Sequence, residues 1–584
     1  MPPLGQARTP PSMKPRMLSD GRRVAFAVGA VTVLGFLLRV WEIGAKGLWL
    51  DEAFSVWLGW QPLGELLSWV VKIDQHPPLY YTLLHFWIKL TGDNPGDVRM
   101  LSAILGTLTI LVMFLLGRRL MGTTVGLLAA LILALSPFHV RFAQETRMYT
   151  TLTLNASLAL LALSYLLTDA RSAAMPMGRQ LRHFYRAWRA GHRWSPINAI
   201  STDLAWIGYV FFTVATMLSH NTAVLFSLAT NLFVIGFIVW QRVAGIRYQE
   251  SGVRGQGTGV GDQGSDAAPR AYQSPISNLQ LPTSNLQPPI SNLQPPTLSN
   301  WLVAQVGVFL LWSPWLVAFV IQATGVYQEF WISKPTLGTV LDTLKTFLST
   351  MLPTRQLGWA DVIWVAYGLL AILGVVRLRR QPALIAFLAV LFLTPIIGEW
   401  LVSLRRPIFS DHTLIWATLP LYLLLAAGIA QLRYRPTILV AVAILATVNF
   451  LSLRQYYTFF DKEEWDKAAA YVGERVEKED MLLFNATWVQ IPFDYYFRYQ
   501  NRPVTKHGAP VDLFDRGILE PKMAESDLPR LHELISDSER VWLIYSHNWY
   551  TDPKKLIPTA LAQDLKLLDQ RQFNGLEVRL YGKP

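Results

Sequence analysis

"RMLSAILGTLTILVMFLLGRR", residues 99–119, decides what kind of protein this is. Between Arg99 and the pair Arg118 and Arg119 there is no acid and no base, only an apolar run. A helix of about 20 such residues crosses a hydrocarbon core of about 30 Å and satisfies its backbone hydrogen bonds internally. Similar runs recur near 24–41, 122–138, 149–167, 204–219, 221–241, 301–323, 360–376, 383–402, 413–430 and 436–453. Counting this one predicts about 11 to 13 transmembrane helices. Composition agrees, since 52% of the 584 residues are hydrophobic and only 16% charged, which excludes an ordinary soluble enzyme. The first run is long and lacks a small-residue cleavage site, so it is expected to remain as a span.

Arginines orient the bundle, because short Lys- and Arg-rich loops stay on the cytoplasmic side. Arg16, Arg22 and Arg23 precede the first run, Arg118 and Arg119 follow the second, and Arg171, Arg179, Arg182, Arg186, Arg189 and Arg193 follow the fourth. Arg377, Arg379 and Arg380, then Arg433 and Arg435, continue the alternation. The net charge of +12 is therefore a topology signal and not a nucleic-acid footprint. "RQLRHFYRAWRAGHRW", residues 179–194, suits a helix lying on an anionic inner leaflet and equally a plain cytoplasmic anchor. The domain reading is a cytoplasmic tail at 1–23, a membrane domain at 24–453 and an outward domain at 454–584. Residues 245–300 interrupt the membrane domain with a Gly-, Pro-, Ser- and Gln-rich insert repeating "ISNLQ" and "TSNLQ", expected to be disordered. In the tail, "EEWDKAAAYVGERV" has helical periodicity while "MLLFNA", "VWLIYS" and "LEVRLYG" read as strands, which predicts an outward α/β domain. The chain has no cysteine, so disulfides, thiolate metal sites and thiol nucleophiles are excluded.

This topology puts four polar stretches at one membrane face. "GLWLDEAFSVWLG" (47–59) carries Asp51 and Glu52, and "DQHPPLYY" further along the same loop carries Asp74, His76, Tyr80 and Tyr81. "RFAQETRMY" carries Arg141, Gln144, Glu145, Arg147 and Tyr149. "YQEFWISKPT" carries Glu329 and Lys334, and "RRPIFSDH" carries Arg405, Arg406, Asp411 and His412. Carboxylates at a half-dry boundary can take a proton from a hydroxyl, while Arg or Lys neutralises a leaving phosphate. A phosphate leaves without a general acid, so the second carboxylate that glycosidases need is dispensable. No Gly-rich nucleotide loop is present, so a sugar donor would be lipid-borne.

At these residues the chain resembles a known family. "GLWLDEAFSVWLG", "HPPLYYTLLHFW" and "FAQETRMYTTLTL" resemble the multi-spanning GT-C glycosyltransferases of the protein O-mannosyltransferase and aminoarabinose transferase type, over about the first 160 residues. The resemblance implies a polytopic α-helical membrane protein with an extracytoplasmic C-terminal domain. It implies inverting transfer from a polyprenyl-phosphate sugar to an outside acceptor, which is a protein, lipid or glycan. Asp51 would be the catalytic base, Glu52 its supporting neighbour, and Glu145 an acid that orients groups or holds a cation. His76 stands where such relatives often carry Lys-Pro, and His412 with Thr413 stands where many show Arg-Tyr, so Arg405 or Arg406 would supply that charge. Arg147, Lys334 and Arg406 are the phosphate-holding candidates, with His76 and Arg405 beside them. Tyr80, Tyr81, Gln144, Tyr149, His220 and His412 are the candidate cavity residues. No cofactor is required by this chemistry; the two carboxylate motifs leave Mg²⁺ or Mn²⁺ open, but the spacing gives no positive sign of a metal site.

Simpler readings compete at each position. Asp51 and Glu52 suit the first turn of a short interfacial helix. Glu145 suits an ion pair with Arg147 or Arg141 at a helix end, His76 and His220 suit turns, and Lys334 suits a snorkelling position. A transporter or lipid-linked sugar flippase is the alternative function. No repeat relates the two halves, and the spans lack the central acids of a proton path.

Overall fold

The computed structural model describes residues 16–74, 76–168, 202–254, 293–325, 332, 334–352, 360–432, 434–515 and 521–584. Arg171, the basic stretch 179–194, the repeats up to residue 292, Glu329 and Arg433 lie outside the described residues. Among the described residues eight helices are long and apolar enough to cross a membrane, or nine if the bent pair Thr123–Leu135 and Pro137–Ala143 counts as one span. With the shorter apolar helices Leu204–Met217 and Ile415–Gln431, they occupy every apolar run read from the sequence. The chain is a multi-pass membrane protein, and residues such as Leu310, Val317 and Val365 stay exposed on the outside of the bundle as a lipid-facing belt.

The first part of the chain builds α1 (Arg16–Val40), α2 (Leu50–Trp60), α3 (Leu63–Lys72), α4 (Leu79–Thr91), α5 (Pro95–Met121), α6 (Thr123–Leu135), α7 (Pro137–Ala143) and α8 (Tyr149–Leu166). Helix α5 starts with Pro95 at its first position and ends on Arg118, Arg119 and Gly122 at φ +95°, the residue types that each end favours. It crosses α6 where Gly117 meets Gly126; a Cβ on Gly126 would lie 2.6 Å from the Phe114 carbonyl, so only glycine permits that approach. The run 122–138 is not one straight span. Pro137 forces Ser136 into extended backbone, and α7 leaves α6 at 59°. Carbonyls freed by this break are taken up by buried Arg39, which donates to Leu133 O and Ala134 O at 3.2 Å. The break turns residues 144–148 back toward α2.

Two boundaries differ from the sequence reading. The expected insert at 245–300 is narrower, because helix Val224–Arg254 runs into it and helix Leu298–Trp312 begins before its end. Gln294 N also donates to Leu167 O at 2.7 Å, so the insert's last residues dock against the end of α8. The last membrane helix, Arg435–Phe459, runs past the expected boundary at 454.

Beyond it lies the α/β domain. Strands β1 (Met481–Asn485), β2 (Thr505–Ala509), β3 (Arg540–Ser546), β4 (Lys566–Phe573) and β5 (Leu576–Gly582) form one sheet in the order β2-β1-β3-β5-β4. β1, β2 and β3 run parallel, and β5 and β4 close the edge antiparallel. Alternate residues of β1 serve opposite faces. Leu482 and Phe484 pack with Trp465 and Phe493 of the helices on one side, and Met481 and Leu483 with Leu531 and Leu561 on the other. Leu50, at the start of α2, belongs to the first of these clusters, so the first loop is seated in the α/β domain's own core.

Candidate active site

Helix α2 places its two acids about 100° apart around the axis, and their fates diverge. Glu52 points inward and is fully buried. Its Oε1 accepts from Arg99 Nε and Thr146 N, both at 2.8 Å, and its Oε2 from Arg99 Nη2 at 2.6 Å and Lys462 Nζ at 2.8 Å. Burial works to raise its pKa, but Arg99 and Lys462 outweigh that and hold the carboxylate at about 2. Burial and the neighbouring Arg99 push Lys462 down to about 8. Glu52 therefore ties a membrane helix, the turn before Arg147 and the entrance to the α/β domain at one point. Asp51 faces the other way, with its side chain 36% exposed, and Arg147 Nη2 lies 3.8 Å from its Oδ2. Neither acid serves as a side-chain cap; the first free N–H of α2, that of Leu50, donates to Glu463 Oε2 at 3.1 Å.

Arg147 is the centre of the polar cluster. It is buried, and its Nη1 lies 3.4 Å from Ser55 Oγ, 3.4 Å from Tyr81 Oη and 3.3 Å from the Asp51 carbonyl. Tyr149 and Asp74 are within its electrostatic reach. Asp74 holds His76 Nδ1 at 2.9 Å, and Gln322 Nε2 fixes that loop by donating to the Asp74 carbonyl at 2.8 Å. Burial works to raise Asp74, and His76 outweighs it, leaving the carboxyl below its ordinary value. The His76 ring meets His220 at 5.0 Å between centroids, and His412 meets Tyr149 at 5.0 Å. Burial, then His76, His412 and Arg147, push His220 well below the usual imidazole range, so it is neutral. Its Nδ1 accepts from Thr222 N at 3.2 Å, which leaves the proton on Nε2. The site is thus an exposed carboxylate beside a buried guanidinium ringed by imidazole and phenol groups.

The comparisons bear on this arrangement. The model of the dolichyl-phosphate-mannose-protein mannosyltransferase family matches residues 75–178, the stretch holding His76, Tyr81, Arg147 and Tyr149. No curated protein matches the chain by sequence. In structure, ArnT from Cupriavidus metallidurans in the apo state aligns with TM-score 0.56 and 12% identity over 96% of this chain and 98% of that one. The same protein bound to undecaprenyl phosphate aligns with TM-score 0.53 and 12% identity over the same shares, 96% and 98%. The chain has the GT-C glycosyltransferase fold. Archaeal oligosaccharyltransferase AglB from Archaeoglobus fulgidus also aligns, with TM-score 0.48 and 11% identity over 97% of this chain and 74% of that one.

Within the GT-C fold the sequence-read candidates separate. Asp51, His76, Tyr81, Arg147, Tyr149, His220 and His412 come together. Tyr80 is turned into the bundle against Ser102 Oγ at 3.2 Å. Gln144 is consumed in holding the carbonyls of Arg39 and Trp41, at 3.1 and 2.7 Å. Glu145 is buried and pairs with Arg141 at 3.4 Å, not with Arg147. Glu52 departs furthest from its expected role, because all its lone pairs facing the protein are occupied and no water reaches it. Lys334 and Arg405 are exposed and Arg406 half-buried, and none of the three makes a side-chain ion pair or hydrogen bond among the described residues. Arg405 and Arg406 sit just past helix Pro382–Ser403. No group of three metal-ligating side chains is set to hold an ion among the described residues.

One residue that braces the site escaped the sequence reading. Glu399, buried near the carboxyl end of helix Pro382–Ser403, accepts from Thr413 Oγ1 at 2.6 Å and is also bonded by the Thr222 side chain. Thr222 holds His220, and Thr413 follows His412, so Glu399 fastens both histidine-bearing loops together. An acid within an apolar span was the available signal.

Proposed function

We propose that this membrane glycosyltransferase moves a sugar from a polyprenyl-phosphate donor to a hydroxyl acceptor in one inverting displacement. The observation that carries the reading is the half-open Asp51 carboxylate set 3.8 Å from buried Arg147 in a bundle of the GT-C fold. The acceptor oxygen forms the new bond to the anomeric carbon as the bond from that carbon to the phosphate oxygen breaks. The acceptor proton passes to Asp51, and the polyprenyl phosphate leaves as an anion facing Arg147. His76, His220 and His412 surround the same place, and the neutral His220 offers an Nε2–H to a phosphate or sugar oxygen. Arg147 is buried, so its charge acts in a low-dielectric setting where it is strongest. The arginine pairs favour a cytoplasmic amino terminus and so support an outward-facing site; on this reading the membrane is a bacterial-type plasma (inner) membrane.

The test is transfer by the purified chain in lipid nanodiscs, with a panel of radiolabelled polyprenyl-phosphate sugars and a solubilised envelope extract as acceptor. Asp51→Asn should lower turnover by roughly 10² to 10⁴, the usual worth of a general base, while undecaprenyl phosphate binding persists. Turnover that survives the substitution would place the base elsewhere, and the absence of transfer from every donor would favour a transporter.

A further inference from the structure

The outer domain carries a second polar cluster that the site above does not use. In its sheet the chain leaves β1 for β2 on one side and then crosses to β3 on the other. The carboxyl ends of the parallel strands β1 and β3 therefore flank the point where the connections diverge, which is where open α/β sheets bind ligands. These ends are clamped, since Asn485 Nδ2 donates to Ser546 O at 2.6 Å and Oδ1 accepts from Ser546 N at 2.8 Å. The residues that follow, Ala486 at φ 44° and His547 at φ 51°, adopt left-handed backbone that non-glycine residues rarely take and that clusters at ligand sites.

His547 is thereby turned off the strand. Ser546 Oγ gives its own proton to Gly575 O at 2.7 Å, so it accepts from His547 Nδ1 at 2.9 Å. His547 Nε2 then faces Glu463 Oε1 at 3.3 Å. The other oxygen of Glu463 accepts from Trp465 Nε1 at 2.6 Å and from Leu50 N, whose next residue is Asp51. Burial holds Glu463 above the ordinary carboxylate range, with Asp51 adding to the effect, so the two acids feel each other. Both members of the pair keep some exposure, 24% for His547 and 17% for Glu463. The nearby donors are unused. Trp488, 9% exposed with its ring 5.2 Å from that of His547, has an indole N–H without a hydrogen-bond partner among the described residues. The same holds for Thr487 Oγ1 beside it and for Trp49 Nε1, next to Leu50. Buried donors of this kind normally find an oxygen.

We propose that the crevice between the β1 and β3 ends and the start of α2 is the acceptor subsite, built by His547, Glu463 and Trp488 for a neutral carbohydrate. A hydroxyl group accepts from an indole N–H and donates to a carboxylate or imidazole through a single atom, and a sugar presents several such groups side by side. An anionic group would meet Glu463 and Asp51, and Lys462, the cation next to Glu463 in the chain, is committed to Glu52. The subsite rests on the glycosyl-transfer reading, and it hands the reacting hydroxyl to Asp51.

The experiment uses the full chain in nanodiscs, the donor found active in the panel, and the neutral oligosaccharide fraction of the envelope extract as acceptor, with its peptide and lipid fractions in parallel. His547→Gln and Glu463→Gln should each raise the KM for the neutral fraction roughly tenfold or more, and Trp488→Phe, which removes one N–H, by a few-fold. The KM for the donor should hold within about twofold, provided gel filtration and melting show folded protein. An unchanged acceptor KM in all three variants, a donor KM that rises in step, or label entering only the peptide or lipid fraction would overturn the proposal. If the wild type transfers from no donor, the glycosyl-transfer reading itself fails and the subsite with it, an outcome seen before any variant is made.

Discussion

Replacing Glu52 by Gln exchanges one buried oxygen for an NH₂ group and removes the charge that Arg99 and Lys462 share. In the wild type four N–H donors converge on two carboxylate oxygens. A glutamine can answer only those at its single oxygen, and the NH₂ group faces donors. Two cations are then left buried without their counter-charge, which typically costs about 3–5 kcal/mol. An independent route gives a similar size. A carboxyl moved from 4.5 to about 2 contributes about 3 kcal/mol of stability once it is ionised in both states. The sign follows from the depressed value: the contribution is complete above pH 4.5 and is lost as pH falls toward 2. The assay is unfolding of wild type and Glu52→Gln in mixed micelles over a pH series from 7 to 3, with donor-dependent transfer measured on the folded fraction. The expected result is a stability loss of about 3 kcal/mol at pH 7 that narrows on acidification, partly restored by adding Lys462→Met. A variant that unfolds like the wild type but has lost transfer would refute this reasoning, because Glu52 would then be a chemical group and not a tie.

Two further outcomes follow from the same geometry. Glu399→Leu should weaken undecaprenyl phosphate binding by roughly tenfold through loosening of the His220 and His412 loops, with Glu399→Gln near wild type since an amide can still bond both threonines; equal effects of the two variants in a binding titration would refute it. His220 is buried and neutral, so the unfolded chain binds the extra proton below pH 6.5 and stability should fall as pH drops from 7 to 5. His220→Asn should flatten that slope in melting curves, and an unchanged slope would place the titration elsewhere.

Much of the architecture was legible from local properties of the chain. Apolar length and strand-like runs are properties of contiguous residues, and each marked an element that the structure contains, down to β1, β3 and β5. The meeting of Asp51 with Arg147, Tyr81, Tyr149 and the histidines was legible as polar residues left at one face of an oily protein. The break at Pro137 was readable in principle, since proline constrains the residue before it, but the apolar run through 122–138 hid it. Lys334, Arg405 and Arg406 make no side-chain ion pair or hydrogen bond among the described residues, and a charge beside a span signals the interface and not what it touches.

The sequence by itself determined that this is a polytopic membrane protein with acids and cations at one face and an α/β domain after the last span, because burial in lipid constrains every residue of a span separately. Only the tertiary structure decided which of two adjacent acids is free. Asp51 and Glu52 are chemically alike, and they are told apart by helix phase and by Arg99 and Lys462, the latter arriving from 410 residues away. The same holds for Glu399 and for the Glu463–His547 pair. Their partners come together only when distant segments pack, and the field that sets each group's chemistry depends on separation in space, not on separation along the chain.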